Sequence, residues 1–206
     1  MITLKEVSKK YDKDFALKDI NLNIKKGSFV AITGESGSGK TTLLSILSTL
    51  LKPNSGEITF EDTEYKSIKN MDKFRQENIG FVFQFHYLIN YLTVKENILL
   101  ANEKASTEEI RKLLSLLDIN NLINSYPNEI SGGQRQRVAI ARALINHPKV
   151  IFADEPTGNL DSKNSLNVFN IFKKLSSNGV TIVVATHDKE LAKLADITLE
   201  VKDGQL

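Results

Sequence analysis

Eight consecutive residues constrain the fold more than any others: Gly34-Glu35-Ser36-Gly37-Ser38-Gly39-Lys40-Thr41. They follow a nearly unbroken apolar run, Ser28 to Thr33 (SFVAIT), and precede a helical pattern from Thr42 to Leu51. Such a run predicts a strand buried on both faces, as in a parallel sheet covered by helices. The spacing Gly34-x-x-x-x-Gly39-Lys40-Thr41 fits a phosphate-binding loop, and a strand before and a helix after are the context that pattern needs. Glycines let successive backbone N–H groups turn inward around phosphate oxygens. The helix start adds the positive end of its dipole. In that geometry Lys40 reaches the β- and γ-phosphates and the Thr41 hydroxyl ligates Mg²⁺. Ser36, Gly37, Ser38 and Thr42 complete the expected cradle. A dinucleotide loop is excluded, because Gly37-x-Gly39-x-x meets Thr42 where a third glycine is required.

A phosphate loop of this kind needs an acidic partner for its metal. Val150-Ile151-Phe152-Ala153-Asp154-Glu155 supplies one, an apolar strand ending in two carboxylates. Asp154 is placed to hold Mg²⁺, directly or through water. Glu155 is then free to orient or polarise the attacking water as a general base. The chain has no Asn-Lys-x-Asp run for guanine and no His-Arg-Asp loop of a protein kinase.

Around these motifs the pattern alternates. Thr3 to Ser8 and Ala16 to Ile24 read as half-buried strands, Glu57 to Phe60 and Ile79 to Phe83 as further strands. From Phe85 to Ile130 no strand is predicted. Thr93 to Ala101 and Ser106 to Leu117 read as helices, the second opening on the capping box Ser106/Glu109. The strand–helix rhythm then returns: helix Gly133 to Ile145, strand Val150 to Ala153, helix Lys163 to Leu175, strand Val180 to Ala185. Asp188 is placed to cap a short helix, Lys189 to Leu194, and a terminal hairpin turning at Asp203-Gly204 closes the chain. This predicts a single α/β domain with a mostly parallel sheet and N-terminal antiparallel strands. Residues 1–84 and 131–206 form its core, and 85–130 an inserted α-helical subdomain.

Composition narrows the function classes. The 206 residues carry a net charge of +2, too small a field to steer nucleic acid. The absence of cysteine excludes disulfides and thiolate metal sites. Met1 to Glu6 lacks the apolar stretch of a signal peptide. No run approaches the ~18 apolar residues of a membrane helix, so contact with a membrane would go through a partner.

A second glycine pair, in Ile130-Ser131-Gly132-Gly133-Gln134, opens another helix. Ser131 and Gln134 have capping-box spacing. A capped turn is one reading. The other is a second anion site, since a hydroxyl and bare amides at a helix start attract phosphate. One triphosphate does not need two such sites in one chain, so the second would serve a nucleotide held by another subunit.

Together these motifs resemble the ATP-binding subunit of ABC transporters over nearly the whole chain. Gly34 to Thr41 matches the Walker A loop, Gln84 the glutamine loop, Ile130 to Gln134 the signature motif with isoleucine for leucine. Val150 to Glu155 matches Walker B, Asn159-Leu160-Asp161 the D-loop, and His187 in Ala-Thr-His-Asp the switch histidine. Tyr11 stands where the family stacks an aromatic ring on adenine. The resemblance implies ATP and Mg²⁺ as cofactors, with Gln84 joining Thr41 and Asp154 at the metal, and Glu155, His187 and Gln84 as catalytic groups. It implies a head-to-tail homodimer in which each ATP lies between Lys40 of one copy and Ser131, Gly132, Gly133 and Gln134 of the other. Asp161 would sit near the two-fold axis and couple the sites. It also implies an integral-membrane permease at the cytoplasmic face of the membrane, whose coupling helix enters a groove beside Phe85-His86-Tyr87. Phe85, Tyr87, Leu88 and Tyr91 are the expected exposed patch there. Glu155-Pro156-Thr157-Gly158-Asn159-Leu160-Asp161 resembles the branch that extracts or exports lipoproteins, macrolides, peptides or bacteriocins. A cell-division ATPase that signals without transport is the neighbouring alternative. Asn90 stands where that branch often has proline.

Overall fold

Two kinds of strand produce two sheets, and the computed structural model describes them over all of residues 1–206. The alternating strands β1 (Ile2–Tyr11) and β2 (Asp14–Ile24) pair antiparallel, as do β1 and β4 (Ser55–Phe60). With the two-residue β5 (Thr63–Glu64) the order is β2-β1-β4-β5. The apolar runs form the other sheet: β3 (Phe29–Thr33), β6 (Ile79–Phe83), β7 (Val150–Asp154), β8 (Thr181–Ala185) and β9 (Ile197–Glu200). Its order is β6-β7-β8-β3-β9, and every pairing is parallel.

The helices are α1 (Lys40–Leu47), α2 (Met71–Asn78), α3 (Val94–Leu99), α4 (Thr107–Leu116), α5 (Gly132–Leu144), α6 (Ser162–Ser177) and α7 (Lys189–Ala192). They cover the parallel sheet so that its strands divide by the period of two. Val150, Phe152 and Val183 point toward α1 and the antiparallel sheet. Ile151, Ala153, Ile182 and Val184 point toward α5 and α6. Both clusters are large, so β3 and β8 are buried at every residue and β7 at all but Asp154, at its carboxyl end. Truncating the fully buried ring of Phe152 would cost about 3–5 kcal/mol.

Residues 85–130 contain no strand. Thr93/Glu96 and Ser106/Glu109 both form complete capping boxes on α3 and α4. The apolar side chains Val94, Ile98, Ile110 and Leu114 join the same cluster as α5 and α6.

Four expectations change. The first helix ends at Leu47 rather than Leu51, because Thr49 adopts φ 65° and the amides of Leu50 and Leu51 fold back onto the Ser45 carbonyl. Helix α2 is an addition, capped by Asn70 and anchored by Phe74, whose ring meets Phe60 edge-on at 5.0 Å. The terminal hairpin shrinks to one antiparallel bridge, Lys202 to Gln205. The preceding strand β9 instead continues the parallel sheet beside β3, because α7 carries the chain across before it. Leu88 leaves the expected exposed patch and packs against the core, while Phe85, Tyr87 and Tyr91 stay exposed. Asn97 draws that segment inward by bonding both the amide and the carbonyl of Ile89.

Candidate nucleotide-binding site

Parallel pairing gathers the site. Phe83 is opposite Asp154, and Asp154 is opposite Ala185. Gln84, Glu155 and His187 therefore follow neighbouring strands out of the same edge, beside the loop after β3. Ligands of open parallel sheets bind at this carboxyl edge. A cleft of about 480 Å³ opens there, lined by Ser36, Gly37, Gly39, Lys40, Thr41, Thr42, Gln84, Glu155 and His187 together with Ala16.

The glycine loop is held open by close backbone approaches. Gly39 has φ 112°, and a Cβ there would lie 2.6 Å from the Ala16 carbonyl oxygen. Gly204, in the C-terminal turn, donates its amide to the Ser38 carbonyl at 3.0 Å. Lys40 Nζ donates to the Gly34 and Glu35 carbonyls, each at 2.8 Å. Those bonds hold the amine at the mouth of the loop, and a phosphate oxygen can replace them. The buried Ser38 hydroxyl, within the glycine loop, has no hydrogen-bond partner.

Thr41 Oγ1 donates to Asp154 Oδ1 at 3.3 Å. Burial raises the Asp154 pKa above the ordinary carboxylate value, against the Thr41 hydrogen bond, which lowers it. A hydroxyl and a carboxylate are hard oxygen donors of the kind Mg²⁺ takes, with phosphate and water completing its shell. No group of three or more His, Asp or Glu side chains gathers to hold a metal unaided. The residues present thus fit a metal that arrives with a nucleotide.

Glu155 adopts φ 45°, a strained conformation for a non-glycine residue, and its amide donates to the Ala185 carbonyl at 2.9 Å. Its carboxylate lies 2.8 Å from His187 Nδ1. Gln84 is boxed in by the turn after Walker B: a Cβ on Gly158 would fall 2.6 Å from Gln84 Nε2. Tyr11 is 53% exposed at the end of β1, with the Lys9 ammonium 5.5 Å from its ring centre.

The second glycine pair lies apart. Ser131, exposed, accepts from the Gln134 amide at 3.3 Å, and Gln134 Oε1 accepts from the Ser131 amide at 2.8 Å. None of Ser131, Gly132, Gly133 and Gln134 lines the cleft around Lys40. Gly133 abuts α6, where a Cβ would meet Asn164 Oδ1 at 2.5 Å. Asp161 caps α6 by accepting from the Asn164 amide at 2.8 Å and its side-chain amide at 2.7 Å. So Asp161 braces Gly133 through Asn164, a contact that sequence spacing did not reveal. Ala16 and Gly204 were also missed as supports of the glycine loop. The turn at Asp203-Gly204 was visible, but not its place beneath Ser38.

A phosphate loop, a hydroxyl–carboxylate pair and a half-buried acid, Glu155, at the carboxyl edge of a parallel sheet define a P-loop nucleotide-binding protein. Comparison with known proteins makes this more specific. A family model described as ABC transporter matches residues 17–158. The lipoprotein-releasing system ATP-binding protein LolD of Aquifex aeolicus is 46% identical over 98% of this chain and 93% of its own length. The macrolide export ATP-binding/permease protein MacB of Campylobacter jejuni is 46% identical over the whole chain, which spans only 33% of that relative. A solved dimer of the ATP-binding cassette MJ0796, bound to ADP and Pi after hydrolysis, shares 42% identity at a TM-score of 0.88, covering 100% of this chain and 96% of that one. The chain belongs to the ABC transporter family, whose ATP-binding ATPase domain it forms.

Proposed function

We propose that two copies of the chain close head to tail around two ATP molecules, hydrolyse them, and so drive a membrane permease in export or extraction. The observation that carries this reading is the distance in kind between the two helix starts. One lines the cleft with Lys40, whereas the other stands exposed outside it with Ser131 at its tip. A phosphate bound by Lys40 of one copy and Ser131 of the other would favour the closed dimer, because only that state makes both sets of contacts.

Within each site Lys40 leaves the Gly34 and Glu35 carbonyls for the phosphates, and the freed loop amides surround them. Thr41, Asp154 and Gln84 would hold Mg²⁺, which screens the charge of the transferring phosphoryl group. Glu155 accepts a proton from the attacking water as that water's oxygen bonds to the γ-phosphorus and the bond to ADP breaks. His187, already paired with Glu155 through Nδ1, keeps that carboxylate aimed at the cleft mouth. Tyr11 stacks on adenine. Asp161 couples the two sites, a role supported by its brace on Gly133.

A groove of about 260 Å³ between β6 and α5, lined by Phe81, Phe83, Leu100 and Ala143, fits the permease's coupling segment, with Phe85, Tyr87 and Tyr91 exposed nearby. Residues 85–130 serve as the helical subdomain that carries this surface. No helix is long and apolar enough to cross a membrane, so the chain would reach the cytoplasmic face of one through that partner. The names of the relatives favour a lipoprotein or macrolide-type substrate.

The test is a Glu155→Gln chain with ATP and Mg²⁺. It should elute as a dimer in size exclusion and return to monomer without nucleotide. A monomer under saturating ATP would overturn the shared site.

A further inference from the structure

The segment after Gln84 is held in a strained shape by a residue far along the chain. Tyr87 adopts φ 48°, which costs a residue with a side chain roughly 1–2 kcal/mol. Arg142, near the end of α5, donates from Nη1 to the Tyr87 carbonyl at 2.7 Å and from Nη2 to the His86 carbonyl at 2.6 Å. Both bonds are short and charge-assisted, about twice as strong as neutral ones. Burial lowers the Arg142 pKa from its ordinary value, so the guanidinium is partly withdrawn from water. A desolvated cation with carbonyls for partners is costly compared with an apolar side chain of similar size. Packing alone would therefore favour a leucine or methionine here, and the charge has to be accounted for by what it grips.

Helix α5 grips the same segment elsewhere too. Gln136, fully buried, donates from Nε2 to the Phe83 carbonyl at 3.4 Å. The residues on either side of Gln84 are thus fastened to one rigid 13-residue rod whose tip is Ser131. Arg142 also lines the apolar groove between β6 and α5.

We propose that Arg142 is a positioning residue, which clamps the His86–Tyr87 turn onto α5 and thereby sets where Gln84 stands over the cleft. It rests on the reading of Gln84 as part of the hydrolytic site. A partner seated in the groove would press on the clamp, and the turn would carry that displacement to Gln84 and, along α5, to Ser131.

Steady-state ATPase kinetics of the full chain test this. Arg142→Met keeps the apolar stem and removes both donors. It should lower kcat about 10–100-fold, the scale on which a misplacement near 1 Å acts, and change KM less than about threefold. Arg142→Lys, with one point of donation, should fall between. In a Gln84→Ala background, Arg142→Met should lower kcat by a further factor below about three, because the residue acts through Gln84. Unchanged kcat in Arg142→Met, or losses that multiply in full with Gln84→Ala, would overturn the proposal. Should Arg142→Met fail to fold, Arg142→Lys completes the same cycle. Wild-type turnover per chain that persists at dilutions leaving only monomers would defeat the shared-site reading alone, since the Arg142 cycle reads turnover however the site is assembled.

Discussion

The starts of α1 and α5 are built in opposite ways. α1 opens at Gly39, with φ 112° and no side chain to cap the first amides. Lys40, 8% exposed, adds a full charge beside them. α5 opens at Ser131, whose hydroxyl and amide are both engaged by Gln134. An uncapped start with a lysine binds phosphate unaided. A start that already satisfies part of its own backbone gains less from phosphate, and its site is open to solvent. On the proposed reading the difference separates two tasks: α1 would supply affinity for the nucleotide, and α5 the increment released only when two chains close.

Breaking the first start should have the larger effect. Lys40→Ala removes charge-assisted hydrogen bonds worth about 1.5–3 kcal/mol, so ATP affinity of the isolated chain should fall about 10–100-fold by calorimetry. Near-normal ATP affinity in that variant would remove α1 from the reading. The comparison sharpens when the two lesions sit on different chains. A Ser131→Arg chain mixed with a Lys40→Ala chain still forms one site from wild-type Lys40 and wild-type Ser131. Each variant alone should be inactive and the mixture partly active, and a silent mixture would argue that Ser131 acts within its own chain. Ser131→Ala is milder. Losing the cap costs about 1 kcal/mol, or a melting temperature lower by about 2–4 °C. ATP affinity of the monomer should stay within about twofold while turnover drops. An equal loss of monomer affinity would place Ser131 at its own chain's nucleotide.

Legibility in the sequence follows the same division. The carboxyl edge was readable because apolar runs fix the parallel strands, and parallel pairing then places Gln84, Glu155 and His187 together. Ser131, Ser106 and Asp188 announced their helices because caps are local in sequence. Helix α2 escapes because Phe74 is the one apolar side chain of its eight that packs against the core, leaving no apolar stripe to read. Strand β9 is hidden in the sequence because its four residues are largely exposed and its pairing with β3 is a backbone contact between the two ends of the chain. Arg142 was silent for the same reason: an arginine on a helix looks like a solvated face until the loop 55 residues away is seen beneath it. Features set by neighbours in sequence were legible, and features set by closure of distant backbone were not.

A third helix start tests how far the comparison extends, with the smallest expected effect. Asp161 caps α6 with a carboxylate, and the Asn164 amide holds its pKa below the ordinary value of 3.8. A depressed folded-state pKa means that the cap stabilises the chain above the unfolded value and that this contribution fades as pH falls through the folded one. Asp161→Asn keeps an acceptor for the Asn164 amide but cannot titrate. Its melting temperature should match wild type closely near pH 7 and lose less between pH 5 and 3. If Asp161 also couples the two sites through Asn164 and Gly133, turnover of Asp161→Asn near pH 7 should fall although stability does not. Parallel changes in the two would reduce Asp161 to a cap and leave Gly133 braced by Asn164 alone.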